Sequence, residues 1–196
     1  MQLNSEPVAE RFLNPRNVGD AAPPNFTGRS ASFTCGAALR ISLHIDESQR
    51  ITEAKFKAAG CSVLVASASL LTDQVIGKTT GEAAAAVLAQ RTESLGDLLG
   101  GFEEGRADCA ALACAALLSA IAKYSDSVRD EWNGDEALIC TCFGVSERTI
   151  ESEIQQKHLS TIAEVTRECN AGAGCHSCYP LIEDILDDCE RRMVNG

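Results

Sequence analysis

Near the end of the chain stand two tight cysteine pairs, Cys140-Thr-Cys142 and Cys175-His-Ser-Cys178, separated by thirty-two residues. Four thiolates complete the shell of one soft-metal site only if the chain between them turns back on itself. The segment that must do so, residues 138–196, is short. A unit of that size buries too little apolar surface to hold without a metal or a cross-link. Three more cysteines, Cys35, Cys61 and Cys109, are scattered singly beside Gly or Asp. Three thiolates leave a coordination position open, so one closed and one open site are expected in the same chain.

The hydrophobic pattern divides the chain in a second way. Leu39, Ile41, Leu43 and Ile45 alternate with Arg40, Ser42, His44 and Asp46, which predicts a half-buried strand. A turn at Glu47-Ser48-Gln49 leads to a second strand over 51–59, and 30–34 adds a short third. Residues 20–30, with Pro23, Pro24 and Gly28, read as loop. A short helix is expected earlier, over 7–12. Past Gly60 the period becomes helical: 62–76, then 81–90 capped by Thr80, then 109–124. Residues 98–106 read as a glycine-rich loop.

Later, Ser146 and the Thr161-to-Glu164 capping box start two helices, and Leu181, Ile182, Ile185 and Leu186 mark a third. The expected fold class is an α+β domain, a small antiparallel sheet packed with helices, followed by a small all-α domain. The boundaries are 1–127, an acidic linker at 128–137 in which Trp132 stands alone as an anchor between domains, and 138–196.

A net charge of −11 with no visible basic patch argues against nucleic acid as a partner. Lys55 with Lys57 and Arg191 with Arg192 are the only close cation pairs. The N-terminus has no secretory pattern and no run approaches eighteen apolar residues, so no membrane partner and a cytoplasmic location are expected. In a reducing compartment, ten cysteines point to metal or redox chemistry rather than disulfides. Cys114, Cys169 and Cys189 read as packing residues. His44 reads as solvated, His158 as a helix end, and His176 as solvent-facing between two ligands.

For Cys140, Cys142, Cys175 and Cys178 the soft donor set admits either a 2Fe–2S cluster or zinc. The Gly172-Ala173-Gly174 approach favours the cluster, because glycines let backbone amides reach the sulfides. The stretches CTCFGVSERTIE and AGAGCHSCYP resemble the bacterioferritin-associated-ferredoxin (BFD) type of 2Fe–2S domain, which implies a permanent 2Fe–2S cluster on these four cysteines, with zinc the alternative occupant.

Asn14-Pro-Arg-Asn-Val-Gly19, Thr34-Cys35-Gly36, Lys57-Ala-Ala-Gly60-Cys61, Ala66-Ser-Ala-Ser69, Gly77-Lys-Thr79 and Asp108-Cys109 resemble the U-type iron–sulfur scaffold family, IscU and the N-terminal domain of NifU. With the ferredoxin-like unit behind it, the chain is similar to a NifU-type protein without its C-terminal C-x-x-C domain. The resemblance implies a non-enzymatic scaffold. Cys35, Cys61 and Cys109 would carry a transient iron–sulfur cluster or iron, with Cys109 as candidate sulfur acceptor. A cysteine desulfurase, apo iron–sulfur acceptor proteins, an electron donor and a second copy in a homodimer are the implied partners. The rival reading is a ferredoxin-like electron-transfer or iron-mobilisation protein whose first domain is a docking module.

Three positions depart from the family pattern. Ala37 stands where Asp is usual, which predicts a longer-lived nascent cluster. Asp108 replaces a common His and is either a fourth ligand or the helix N-cap. Residues 102–106 replace the chaperone-binding Leu-Pro-Pro-x-Lys motif, so ordinary chaperone engagement is not expected.

Overall fold

The computed structural model describes residues 5–23, 25–89, 91–101, 106–131 and 136–194. The readings placed on Trp132 and on residues 102–105 lie outside them. The chain forms two compact units, Met1–Lys78 with Ala86–Lys123, and Thr79–Ala85 with Tyr124–Gly196.

In the first unit, α1 (Glu6–Leu13) is capped by Ser5, whose Oγ accepts from the Val8 amide at 3.2 Å and donates to the Leu99 carbonyl. Three antiparallel strands follow in sheet order: β1 (Phe26–Ser32), β2 (Ala37–Ile45) and β3 (Ile51–Ala59). The alternation in β2 is realised, with Leu39, Ile41 and Leu43 buried on one face. β1 begins at Phe26, inside the stretch expected to be loop. Gly28 had suggested a turn, but it serves close packing instead. A Cβ there would lie 1.9 Å from the Ala116 carbonyl oxygen, so only glycine lets the long helix rest on the strand.

α2 (Ser62–Val75) is buried along most of its length and is tied to α1 by the Arg11–Asp73 ion pair at 2.5 Å. α3 (Thr80–Ala89) and α4 (Arg91–Leu98) come next. The cap of α3 is Thr79 rather than the expected Thr80. Thr79 Oγ1 accepts from the Glu82 amide at 3.1 Å and Glu82 Oε2 accepts from the Thr79 amide at 2.9 Å. No expectation had been formed for α4; its Leu95 is buried despite Gly96 and a polar composition.

α5 (Ala107–Glu131) runs past the expected end at Tyr124, because the acidic and basic residues that read as linker are compatible with an exposed helix face. It is also the single described helix long and apolar enough to cross a membrane by length and composition, against the expectation of no such run. Its role in the first unit is to cover the sheet: Ser30 Oγ donates to the Leu112 carbonyl at 2.7 Å and Lys123 Nζ to the Thr27 carbonyl at 2.6 Å.

The second unit is helical, with α6 (Glu147–Lys157), α7 (Ile162–Cys169) and α8 (Tyr179–Val194). A two-stranded hairpin, β4 (Leu138–Cys140) and β5 (Val145–Ser146), precedes them and refines the all-α expectation. Ser146 caps α6, and Thr161 with Glu164 closes a capping box on α7, both as read from the sequence. Ile150, Ile154, Val165 and Ile182 form a core that excludes solvent completely, joined by the buried Cys169 and Cys189.

Candidate metal centres

Cys35, Cys61 and Cys109 come from three different elements and line one cavity of about 530 Å³ together with Ser32, Thr34, Ala37, Arg106 and Asp108. Cys35 lies in the exposed turn between β1 and β2, where Gly36 takes a φ of 66°. Cys61 is the N-cap of α2, and Cys109 sits in the first turn of α5. The Cys61 and Cys109 sulfurs are 3.2 Å apart.

The three thiols are electrostatically unlike. Cys35 is held below the ordinary thiol range, first by the Ser32 hydroxyl and then by the Ala37 amide. At Cys61 burial opposes ionisation, but the Leu64 amide, the Cys109 thiol, the Val63 amide and Arg106 outweigh it, and the net shift is downward. Burial pushes Cys109 up to about 12, reinforced by its hydrogen bond to Cys61 and by the neighbouring thiolates. Cys109 is only 8% exposed. A helix start favours an ionised thiol, but burial outweighs that here.

Ala37 is buried, and its Cβ would meet a Cβ placed on Gly60 at 3.2 Å. Asp108 is exposed in the first turn of α5, one residue inside the helix, and is therefore not its N-cap. Arg106 lines the cavity beside it. The sequence reading had absorbed Arg106 into a replaced motif, and only the fold shows it facing the thiols.

In the second unit, Cys140 ends β4, Cys142 lies in the hairpin turn, and Cys175 and Cys178 lie just before the start of α8. The closest approaches run across the two motifs. Cys142 Sγ is 3.4 Å from Cys175 Sγ, and Cys140 is the thiol partner of Cys178. Cys175 is exposed, and the Ser177 hydroxyl at 3.0 Å, then the Ser177 amide and Cys142, lower its pKa to about 7. Ser177, an interior residue of the C-x-x-C pair, was not singled out from sequence. Burial and the neighbouring Cys140 raise Cys178 to about 11. His176 is exposed and stacks on Tyr179 with ring centroids 4.7 Å apart.

Among the described residues, no three His, Cys, Asp or Glu side chains already surround a single metal point. The sulfurs of the second unit gather instead as two pairs, four soft donors of the kind that take an iron–sulfur cluster. The loop before Cys175 fits such a group. A Cβ on Gly174 would press the Cys142 Sγ at 3.2 Å and the Phe143 ring at 3.3 Å, and Gly172 has a φ of 83° under the Tyr179 ring. Both glycines keep the backbone close to the sulfurs, where amides can meet an anionic cluster.

Two family models match the chain, one across each set of thiols. The family model for the NifU-like N terminal domain matches residues 3–130, and that for the BFD-like 2Fe–2S binding domain matches residues 138–188. Nitrogen fixation protein NifU of Trichormus azollae is 34% identical over 194 residues, covering 94% of this chain and 63% of that protein. The iron–sulfur cluster assembly scaffold protein IscU of Haemophilus influenzae is 37% identical over 123 residues, 61% of this chain and 94% of that one. The chain thus spans less than two-thirds of the NifU protein's length. In fold, it is similar to a crystal structure of a candidate SUF-system scaffold from Fervidobacterium islandicum, with a TM-score of 0.51 and 21% identity over 61% of this chain and 96% of that one. By the match of more than half its length and by its likeness to IscU, the chain belongs to the family of NifU-like N-terminal domains and carries a BFD-like 2Fe–2S binding domain behind it.

Proposed function

We propose that the chain is a scaffold that builds an iron–sulfur cluster as cargo on Cys35, Cys61 and Cys109 and passes it to apo-proteins. The observation that carries this reading is the meeting of three thiols from three elements in one open cavity. Sulfur arrives as a persulfide on a cysteine desulfurase. A scaffold thiolate attacks its outer sulfur, the S–S bond to the donor breaks, and the donor cysteine leaves as thiolate. Cys109 is the acceptor by family pattern, and its proton passes to the departing donor thiolate as the S–S bond breaks. Asp108, at the cavity rim, supplies a fourth ligand. The chain itself activates no sulfur and is not an enzyme.

Cys140, Cys142, Cys175 and Cys178 hold a permanent 2Fe–2S cluster, with zinc as the substitute in iron-poor preparations. When bound, the cluster supplies one-electron chemistry. The protein's part is to hold four thiolates, offer backbone amides along 171–175 and shield the Cys140 and Cys178 sulfurs, which are 2% and 4% exposed. On this reading the protein works in the cytoplasm as a homodimer.

The test is anaerobic reconstitution with iron, cysteine and a desulfurase, followed by transfer to an apo-ferredoxin. The expected result is iron and sulfide above the two irons of the permanent site, and loss of that excess to the acceptor. If the first unit gains no cluster, or Cys35→Ala leaves assembly intact, the rival electron-transfer reading takes its place.

A further inference from the structure

The first unit carries a basic surface that the linear sequence hides. Arg29, Arg40 and Lys57 are twenty-eight positions apart at the extremes, yet sheet register sets them side by side: Arg29 pairs with Arg40, and Arg40 with Lys57. Like charges directly opposite across strands are unfavourable. Asp20 is the one carboxylate that answers this row, bonding Arg40 and, at 2.5 Å, Lys57. Among the described residues Arg29 has no ion-pair partner, and its side chain is exposed.

The next cross-strand row is Ala31, Ala38 and Ala59, in register and all exposed. These two rows line a shallow depression of about 570 Å³ on the sheet face opposite Leu39 and Ile41. Farther along that face residues 21 and 22 lie against it: the Ala21 amide donates to Ser42 Oγ at 2.9 Å, and the Ala22 amide to Glu53 Oε2 at 3.0 Å. The alanine row leaves the end toward the thiols exposed. Ala31 lines this depression and the cysteine cavity alike. Phe33, in the turn two residues before Cys35, is fully exposed at 102%.

The exposed Phe33 in the adjoining turn and the arginines of the rim are residue types that binding faces favour. The three alanines let a partner's backbone come close, and the cations select its charge. We infer that this face docks an acidic segment of the protein that delivers sulfur to Cys35, Cys61 and Cys109. On a chain of net charge −11, such a local basic row would orient an acidic partner that the molecule as a whole repels. The identity of that partner as the sulfur donor rests on the scaffold reading; the basic face itself does not.

The test uses the full chain, comparing wild type with Arg29→Glu and Arg29→Ala. An octaglutamate peptide serves as the probe, with amide shifts mapped by NMR at low and high salt. Shifts centred on Arg29, Ala31, Ala38, Arg40 and Ala59, lost at high salt and in Arg29→Glu, are expected. Desulfurase-driven sulfur loading should also slow about tenfold in Arg29→Glu at low ionic strength and lose its salt dependence. Cluster formation from iron and free sulfide should be unchanged in the variant. No cluster from free sulfide in wild type would defeat the scaffold reading alone. Peptide shifts elsewhere, or equal loading of both proteins at all salt concentrations, would overturn the docking face. A drop in dimer affinity in Arg29→Glu with unchanged loading would overturn it too, reassigning the face to a second copy.

Discussion

Cys61 Sγ and Cys109 Sγ lie 3.2 Å apart, each at the start of a helix, yet the two thiols are shifted in opposite directions. Burial opposes ionisation at both, but Cys61, as the N-cap of α2, receives the Leu64 and Val63 amides, which outweigh it together with Cys109 and Arg106. Cys109 lies inside its helix, where burial acts first and the close Cys61 sulfur adds to it, since two thiolates at that distance cannot both ionise cheaply. Of the pair, Cys61 is the more readily ionised and Cys109 the one that holds its proton.

Removing Cys61 should therefore loosen the hold on the Cys109 proton. In Cys61→Ala the Cys109 pKa falls from about 12 but stays above 9.0, because burial remains. The sign is that a lower pKa gives more thiolate at a given pH. Iodoacetamide labelling of Cys109, followed by mass spectrometry from pH 7 to 10 in the metal-free protein, should accelerate in the variant. Identical pH profiles would show that the Cys61 neighbour does not govern Cys109.

Ala37 is 3% exposed and begins β2 beside the cysteine cavity. Ala37→Asp places a carboxylate there, supplying an oxygen ligand and drawing water toward the cargo cluster. The reconstituted cluster should decay several-fold faster under air. The metal-free protein should lose about 1–3 kcal/mol from burying a poorly partnered polar group, read by urea unfolding. An unchanged decay rate would remove Ala37 as the cause of a persistent cluster.

Much of this organisation was legible before any coordinates, and the failures share a physical cause. The alternation from Leu39 to Ile45 and the Ser146 and Thr161 caps depend on neighbours in sequence, and each holds. Gly28 misled because a glycine that admits a helix backbone looks, in one dimension, like a glycine that makes a turn. α4 was missed because its helical preference is weak, interrupted by Gly96, and its Leu95 is held by tertiary burial. The four cysteines of the second unit group as a set by their spacing, but their pairing across motifs depends on how the hairpin meets the start of α8. The Arg29–Arg40–Lys57 row is written only in strand register, and Cys109's raised pKa only in what covers it.

Gly174 tests how tightly the second thiol set is built. Its φ is not in the left-handed region, so Gly174→Ala costs contact rather than backbone strain. The added Cβ would sit 3.0 Å from Cys142 Cβ and 3.2 Å from its sulfur, and one side must give. An overpacking cost of about 1–3 kcal/mol is expected in the folded unit, with a shifted visible absorption spectrum and faster loss of the 2Fe–2S cluster to a chelator. Gly36→Ala makes the contrast, since nothing lies within 4 Å there and only its φ of 66° is penalised. It should leave that spectrum unchanged. Equal effects from the two substitutions would mean that the Gly174 contact is not specific to the cluster loop.

The capping box on α7 gives the second unit a defined response to acid. The Glu164 carboxyl is held below its usual range first by the Ser160 amide, then by the Thr161 hydroxyl, with the Ser160 hydroxyl and the Thr161 amide adding to both. The folded form therefore releases this proton more readily than the unfolded chain. Its contribution to stability is complete above the unfolded value near 4.5 and is lost as pH falls through the lower folded value. Glu164→Gln removes the charge at every pH. In the metal-free protein, wild type should melt above the variant at pH 7, and the gap should close below about pH 4 as Glu164 takes up its proton. Melting curves followed by helix circular dichroism across that range decide the matter, because a gap that persists unchanged at pH 3 would mean the carboxylate's charge is not what holds the start of α7.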